Sequence, residues 1–174
     1  MKYSCIDASA RLLLLGANTG SIYIFSRPSI EFLRLWSHAD IQDSLSCIKI
    51  NPTEKLFAVS TVRGQVYIIQ LAKAGEKEQV LLKISGHKEA EITSLAWHDN
   101  VSLLSGDDTG AVFHSSLANA GMFFQADLLY RADSRVVQLD VIAPRVLVSS
   151  LTKCTVIDVP KRSSVPVRSL RWRF

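Results

Sequence analysis

The sequence has few of the features that mark secreted, membrane-spanning or helical proteins. Its three cysteines, Cys5, Cys47 and Cys154, are an odd number at wide spacings, which excludes a disulfide framework and favours a reducing, cytoplasmic compartment. The apolar run near the start, Leu12–Leu15, is too short to span a membrane, and charged residues precede it, which argues against a secretory signal. No segment keeps a 3.6-residue apolar period, so no helix is predicted.

The chain nevertheless has the composition of a folded domain, because 48% of its 174 residues are hydrophobic and 21% are charged. It has 20 basic and 16 acidic residues, a formal charge of +4 and a pI near 9.1, which are typical of proteins that bind nucleic acid or anionic membranes. Five of the basic residues, however, lie in the segment 159–174, which has no acidic residue. Residues 1–158 contain 15 basic and 16 acidic residues, a formal charge of −1, so the basic character belongs to this tail.

A repeat of about 44 residues organises the chain, with Ile6, Ile48, Leu95 and Leu139 at equivalent positions. Each copy contains three short runs rich in β-branched and aromatic residues, and a fourth run follows. Four strands in a unit of this length are typical of a WD-type blade, so we predict an all-β, WD-repeat-like β-propeller with about four blades, an incomplete propeller. The predicted domain covers residues 1–158, with blades at 3–36, 45–84, 92–130 and 136–158.

A tight hairpin is predicted between the second and third strands of each copy. Gly20, Gly64 and Gly110 stand at the equivalent position of the first three copies. Glycine adopts the positive φ that such hairpins need at little cost, so these three residues are predicted structural repeat positions. Lys153 stands there in the fourth copy, which indicates a degenerate repeat.

The dipeptides that mark WD repeats are present in altered form. His87 follows a glycine shortly before the third copy, where a WD repeat carries Gly-His, and His38 occupies the same place one copy earlier. The Trp-Asp pair that ends the third strand of a WD repeat is replaced in the first three copies. We therefore predict diverged repeats in which His38 and His87 make hydrogen bonds inside their blades. The other predicted structural repeat positions are Trp97, Asp107 and Asp108.

At these residues the sequence resembles the amino-terminal WD-repeat propeller shared by tectonin β-propeller repeat-containing protein two and the Hermansky-Pudlak syndrome five protein. The resemblance covers roughly residues 3–158, and its most specific parts are Ile92–Trp97, Leu104–Gly110, Val136–Asp140 and Val146–Leu151. It implies a non-enzymatic scaffold for protein–protein interaction in membrane traffic. For the first protein this means autophagy and export from the endoplasmic reticulum, and for the second it means biogenesis of lysosome-related organelles.

The same resemblance implies trafficking-complex subunits as partners, no cofactor and no small-molecule substrate. It also implies a cytoplasmic location, peripheral to endo-lysosomal, autophagic or endoplasmic reticulum membranes. Propellers commonly bind partners through their loop-bearing faces. The charged segments 74–79 and 88–91 are interpreted as solvated connections between strands, on which a binding role stays open.

Two sets of residues have the types found in catalytic or metal-binding sites, and both have structural explanations. Asp108-Thr109-Gly110 has the letters of an aspartic-protease loop, in which paired carboxylates share a proton and activate water. The same glycine recurs in the other hairpins, so an Asx-type turn explains it, and an aspartic hydrolase remains only as a third alternative. The four histidines have no paired spacing and no nearby cysteine. No catalytic residue, metal site or cofactor is therefore predicted.

The basic tail supports a second, different function. Basic residues interleaved with aromatic ones bind nucleic acid or anionic lipid in other proteins, although the charge of residues 1–158 makes nucleic acid an unfavoured partner. Residues 170–174 also alternate apolar and basic side chains, which is the period of a strand with one buried face. The segment 159–174 is therefore predicted as a basic tail or an edge strand. The candidate contact residues are Lys161, Arg162, Arg168, Arg171 and Arg173.

Overall fold

The computed structural model describes residues 1–72, 76–117 and 126–167, which form sixteen β-strands in four antiparallel sheets, called blades below. Blade 1 consists of β1 (Tyr3–Ala8), β2 (Leu12–Ala17), β3 (Ile22–Ser26) and β4 (Glu31–Trp36). Blade 2 consists of β5 (Leu45–Ile50), β6 (Leu56–Thr61), β7 (Val66–Gln70) and β8 (Gln79–Ile84). Blade 3 consists of β9 (Ile92–Trp97), β10 (Ser102–Asp107), β11 (Ala111–Ser116) and β12 (Asp127–Arg131). Blade 4 consists of β13 (Val136–Ile142), β14 (Arg145–Ser150), β15 (Cys154–Asp158) and β16 (Ser163–Pro166).

The strand order confirms the predicted all-β propeller fold with four blades. In every blade the strands pair in sequence order, so that consecutive strands are neighbours. Strand β1 contacts β5, β5 contacts β9, and β9 contacts β13. The first strand of each blade therefore lies innermost and the fourth lies at the outer edge. Among the described residues, no helix has the length and apolar character needed to cross a membrane.

The burial of each strand follows its place in the blade. Strand β6 lies between two strands of its own sheet and between two blades, and it is buried from Phe57 to Thr61. A nearly continuous apolar run is expected of a strand that is covered on both faces. The edge strand β8 instead alternates more exposed and more buried residues from Gln79 to Ile84, as a strand with one solvated face does.

The hydrophobic core is divided into three layers, one between each pair of adjacent blades. Each layer contains residues from both blades that are 1% exposed or less, and representative members are Ile24 with Phe57, Ile68 with Leu103, and Leu104 with Val148. The apolar side chains of one blade are thus covered mainly by the next blade. As in other repeat proteins, stability depends on these interfaces between neighbours.

The two ends of the array leave apolar faces open. Ile6 is 63% exposed in blade 1, whereas its repeat equivalents Ile48, Leu95 and Leu139 are 2%, 2% and 5% exposed. Each of the three buried residues belongs to the core layer shared with the preceding blade. The face that Ile6 presents is therefore of the kind that a neighbouring blade covers elsewhere in the chain, which fits an incomplete propeller.

The observed strands differ from the predicted boundaries in two places. The fourth blade continues past residue 158, because β16 pairs with β15 from Thr155 opposite Pro166 to Asp158 opposite Ser163. Two serines and a proline give this strand little apolar signal, and proline is tolerated at a sheet edge. Blade 3 is predicted to end at residue 130, but its fourth strand β12 extends to Arg131; the alternating segment 170–174 lies outside the described residues.

Candidate functional site

The three hairpin glycines lie where the backbone and its neighbours leave no room for a side chain. The φ angles of Gly20, Gly64 and Gly110 are +77°, +73° and +88°, which is the left-handed region. A Cβ atom on Gly20 would lie 2.1 Å from the carbonyl oxygen of Ile41, in the segment that leads into blade 2. These hairpins therefore pack closely against the connections between blades.

The hairpin of blade 4 reaches its shape without a left-handed residue between Ser150 and Lys153. The Ser150 Oγ atom accepts hydrogen bonds from the Thr152 and Lys153 N–H groups, at 3.4 and 3.2 Å. The Lys153 Nζ atom lies 2.9 Å from Asp133 Oδ2, in the connection before blade 4. A lysine thus replaces the glycine because this hairpin is held by side chains.

A buried hydrogen-bond network connects the segment before blade 3 to the strands of that blade. His87 Nδ1 lies 2.7 Å from Asp107 Oδ2, and His87 Nε2 lies 2.7 Å from Ser105 Oγ. All three residues are at most 3% exposed. On its other oxygen, Asp107 accepts hydrogen bonds from the Thr109 N–H and hydroxyl and from the Ala111 N–H. His87 and Asp107 were predicted as repeat positions, whereas Ser105 was not recognised from the sequence.

The protonation states of this network follow from its surroundings. Burial lowers the pKa of His87 and outweighs the opposite effect of the Asp107 carboxylate. Burial would raise the pKa of Asp107, but hydrogen bonds from His87, Thr109 and Ala111 together lower it. The neutral His87 ring therefore donates from Nδ1 to the carboxylate and accepts the Ser105 hydroxyl proton at Nε2. Although the residue types match a nucleophilic triad, the hydroxyl of Ser105 is buried in the middle strands of the sheet and holds the blade together.

Asp108, the first residue of the Asp-Thr-Gly letters, is exposed, and its side chain makes no hydrogen bond or ion pair with any described residue. Its N–H donates to the Glu91 carbonyl oxygen at 3.0 Å, which ties the hairpin to the preceding connection. The turn itself is stabilised by Asp107, one residue earlier. The described geometry therefore forms an Asx-type turn and no carboxylate pair of the kind that aspartic proteases use.

His38 does not reproduce the contacts of His87. Its Nδ1 accepts a hydrogen bond from the Asp40 N–H at 3.2 Å, and its ring stacks on Trp36 with centroids 6.0 Å apart. Residues Val59 and Thr61 stand in blade 2 where Ser105 and Asp107 stand in blade 3, so a histidine here has no matching buried partners. His38 was expected to make a hydrogen bond inside its blade, as His87 does. Its described hydrogen bond is instead to the Asp40 N–H, because Val59 and Thr61 do not provide the partners that Ser105 and Asp107 provide.

In blade 2 a tyrosine holds the connection instead. The Tyr67 hydroxyl donates to the Asp40 carbonyl oxygen at 3.0 Å and also contacts the Gln65 side chain. Tyr67 occupies the position of Phe113 in blade 3 and is 1% exposed. This role of Tyr67 can be predicted from the sequence only by aligning the repeats residue by residue.

Side chains also join the inner strands of adjacent blades. The Trp97 Nε1–H donates to the Lys49 carbonyl oxygen at 3.0 Å, which connects blade 3 to blade 2. The Asp7 carboxylate accepts hydrogen bonds from the Ile50 N–H at 2.7 Å and from Lys49 Nζ at 2.9 Å, which connects blade 1 to blade 2. The Leu139 N–H donates to Ser94 Oγ at 3.0 Å and connects blade 4 to blade 3. Among the side chains that make these bonds, only Trp97 is predicted from the sequence as a structural repeat position.

The two described basic residues of the tail both have acidic neighbours. The Lys161 N–H donates to Asp158 Oδ1 at 3.1 Å, and its Nζ lies 4.0 Å from Asp158 Oδ2. Arg162 Nη2 lies 3.3 Å from Asp127 Oδ2 of blade 3. Both residues lie in the turn between β15 and β16. The remaining candidate contacts lie outside the described residues and are Arg168, Arg171 and Arg173.

One pair of histidines lies close together without forming a metal centre. The rings of His98 and His114 meet edge to face with centroids 5.8 Å apart. Burial and then the neighbouring His98 lower the pKa of His114. In the described part of the chain, no group of three histidine, cysteine or acidic residues has the arrangement needed to hold a metal ion.

Comparison with known proteins confirms the resemblance found in the sequence, although no protein-family model matches the chain. The BLOC-2 complex member HPS5 homolog of Aedes aegypti is 27% identical over 183 residues, which cover 92% of this chain and 21% of that protein. Human BLOC-2 complex member HPS5 is 28% identical over 92% of this chain and 15% of its own length. Human tectonin beta-propeller repeat-containing protein 2 is 27% identical over 92% of this chain and 12% of its own length. The chain is thus similar to these proteins along nearly all of its length but spans about a fifth or less of theirs.

Solved structures independently support the fold. The WD40 repeats of RRP9 match 95% of this chain and 51% of that chain with a TM-score of 0.80 and 18% identity. The computationally designed Ika4 protein matches 91% of both chains with a TM-score of 0.73 and 18% identity. The four-blade unit therefore has the fold of a WD-repeat propeller.

Proposed function

We propose that this four-blade array is a non-enzymatic scaffold for protein–protein interaction in intracellular membrane traffic. The observation that carries the proposal is the similarity over 92% of the chain to members of the BLOC-2 complex and to human tectonin beta-propeller repeat-containing protein 2. Subunits of complexes act by presenting surfaces to other proteins. We therefore infer partners among trafficking-complex subunits and a cytoplasmic location that is peripheral to membranes through such a complex.

The local geometry supports a rigid binding platform. His87, Asp107 and Ser105, the residues that most resemble a catalytic set, hold blade 3 together and are buried. Hydrogen bonds between inner strands fix adjacent blades relative to each other. Connections held on such a rigid frame form binding surfaces at low entropic cost, since little is ordered on binding.

Among trafficking processes, we infer a role in a BLOC-2-type complex and in the biogenesis of lysosome-related organelles. The BLOC-2 members of Aedes aegypti and human support this choice. The similarity to human tectonin beta-propeller repeat-containing protein 2 favours a second candidate, a role in autophagy or export from the endoplasmic reticulum.

Affinity capture from cells tests the proposal. The tagged chain is compared with a Phe57→Asp variant, in which a charge in the fully buried core prevents folding and reveals proteins that bind any unfolded chain. We expect BLOC-2 subunits to be recovered with the parent chain and lost with the variant. Recovery of autophagy proteins alone would favour the second candidate. Recovery of RNA-processing or chromatin proteins alone would overturn the scaffold role in membrane traffic.

A further inference from the structure

A groove of about 880 Å³ opens between the outer strands of blades 2 and 3. It is lined by the end of β8, by residues 85–88 and Ala90 of the connecting segment, and by residues of β11 and β12. Strands β8 and β12 are both edge strands, so each has one side that is not hydrogen-bonded within its sheet. The unpaired backbone groups of these edge strands are available for pairing with an extended chain.

The floor of the groove is apolar and held in place. A Cβ atom on Gly86 would lie 3.1 Å from Ala126 Cβ and 3.5 Å from Phe113 Cδ1, so the absence of a side chain at Gly86 leaves this region open. The Phe113 ring packs edge to face on His87 with centroids 4.5 Å apart. His87 is itself fixed by the buried network described above. Leu128, on β12, is 44% exposed and offers further apolar surface.

The rim of the groove is positively charged. Lys83, Lys88 and Arg131 line it, are exposed, and form no ion pair with any described residue. Lys83 Nζ lies 5.5 Å from the centroid of the Tyr67 ring, a contact that directs the ammonium group without neutralising it. The only carboxylate among the lining residues is that of Asp107, which is buried and bound to His87.

Several basic residues on other parts of the surface are paired with carboxylates. Arg63 Nε lies 3.3 Å from Asp43 Oδ1, and Lys153 Nζ lies 2.9 Å from Asp133 Oδ2. The three cations around the groove, none of which forms an ion pair with a described residue, create a local positive potential on a body whose residues 1–158 have a formal charge of −1. A partner with both carboxylates and an apolar side chain matches this surface better than a polyanion does.

We propose that this groove binds an extended acidic peptide segment of a partner protein. An aliphatic or aromatic side chain of the peptide lies on Phe113 and Leu128, and its carboxylates face Lys83, Lys88 and Arg131. The inference rests on the proposed scaffold function and specifies the chemistry of the partner. It places the binding site at the side of the propeller, between two blades, on residues that are far apart in sequence.

The test is a fluorescence-anisotropy titration of the chain with a short labelled peptide that alternates Asp or Glu with Leu and Phe. The comparison peptide carries Asn and Gln in place of Asp and Glu. An exposed ion pair contributes up to about fivefold in affinity, so the triple variant Lys83→Glu, Lys88→Glu and Arg131→Glu should bind at least about tenfold more weakly. Leu128→Asp should weaken binding through the apolar floor, and added salt should weaken binding to the parent chain.

A control is Lys55→Glu, which makes the charge change of one of the three substitutions at an exposed lysine away from the groove, in the turn between β5 and β6. We expect this variant to bind the acidic peptide as the parent does. Equal binding of the neutral peptide, or unchanged affinity of the triple variant, would overturn the proposal. Circular dichroism of each variant verifies that the sheets remain folded.

Other occupants give different results in the same assay. Single-stranded RNA and phosphatidylserine vesicles are titrated in the same way. If either binds the parent chain at least as tightly as the acidic peptide, and the triple variant loses that binding, the groove is a polyanion site and the proposal of a peptide site is refuted. Binding that arises only after residues 118–125 are replaced by a Gly-Ser linker would assign the groove to that segment and refute a partner. If the peptide binds the groove but capture recovers no trafficking subunit, the scaffold role fails and the groove stands.

Discussion

Asp107 gives the most direct test of how the third blade is held together. Replacement by alanine removes the acceptor of His87 and of the Ala111 N–H, both of which are buried, and of two donors on Thr109. Thr109 is exposed, so water can replace its lost bonds, but the buried donors stay unpaired. Each buried donor that is left without a partner costs about 1–3 kcal/mol, so the loss should be about 2–6 kcal/mol, a large part of the roughly 5–15 kcal/mol that stabilises a typical domain.

Two further variants separate the hydrogen bonds from the charge and from the position. Asp107→Asn keeps an oxygen acceptor for Thr109 and Ala111, and its amide can donate to His87 if the ring proton moves to the nitrogen near Ser105. We expect a loss of about 1 kcal/mol, the net value of one hydrogen bond. Asp108→Ala changes the adjacent exposed carboxylate and should alter the unfolding free energy by less than about 0.5 kcal/mol.

Urea unfolding followed by tryptophan fluorescence measures all three variants, because Trp36 and Trp97 are 7% and 8% exposed in the folded chain. The slope of unfolding free energy against urea must stay equal for the comparison to hold. The reasoning fails if Asp107→Ala unfolds at the same urea concentration as Asp108→Ala. It also fails if Asp107→Asn is as unstable as Asp107→Ala, since the network would then contribute only through its charge.

Three other predictions concern the acid sensitivity, the open face and the tail. Burial lowers the pKa of His87 from its ordinary 6.5, so the neutral ring stabilises the fold fully above about pH 6.5, and this stability is lost as the pH falls below 6.5. The midpoint of urea unfolding, measured at several pH values, should depend less on pH in the variant His87→Gln. Ile48→Ala should cost about 2–5 kcal/mol by chemical denaturation, whereas Ile6→Ala at the equivalent open position should cost less than about 0.5 kcal/mol; equal effects would contradict the open face. The chain cut after residue 167 should bind neither single-stranded RNA nor anionic vesicles in flotation and filter assays, because the two described basic residues of the tail face acidic partners, and surviving binding would show otherwise.

The parts of the structure that depend on short-range chemistry were predictable from the sequence. The hairpins follow from Gly20, Gly64 and Gly110, because their spacing recurs and their backbone needs positive φ. The edge strand β16 was harder to place, because Ser-Ser-Val-Pro has almost no apolar period and its pairing depends on β15. Strand pairing there is decided by the neighbouring strand and not by the local residues.

The functional surface required long-range information. Ser105 is recognisable only when the copies are aligned and the partner of His87 is sought five residues before the hairpin glycine. The same alignment shows why His38 lacks such partners. The groove between blades brings together Lys83, Lys88 and Arg131, and Lys88 by itself is indistinguishable from any solvated lysine in a charged connection. Its unpaired state becomes evident only from the residues that surround it in the fold.

The register of the repeats also bears on how the open ends of this array combine with other chains. Asp140 of blade 4 is equivalent to Asp7 of blade 1, but it is exposed, and its carboxylate accepts a hydrogen bond from the Gln138 side chain at 2.6 Å. Asp7 instead binds Lys49 and the Ile50 N–H of the next blade. If a second copy closed the ring in this register, blade 4 of one copy would pack on blade 1 of the other. Asp140 would then face Asp7 of the second copy, whereas between blades 1 and 2 the corresponding pair is Asp7 and Lys49. Like charges at directly opposed positions are destabilising, so the open face of blade 4 fits a strand with a basic residue better than it fits this chain itself.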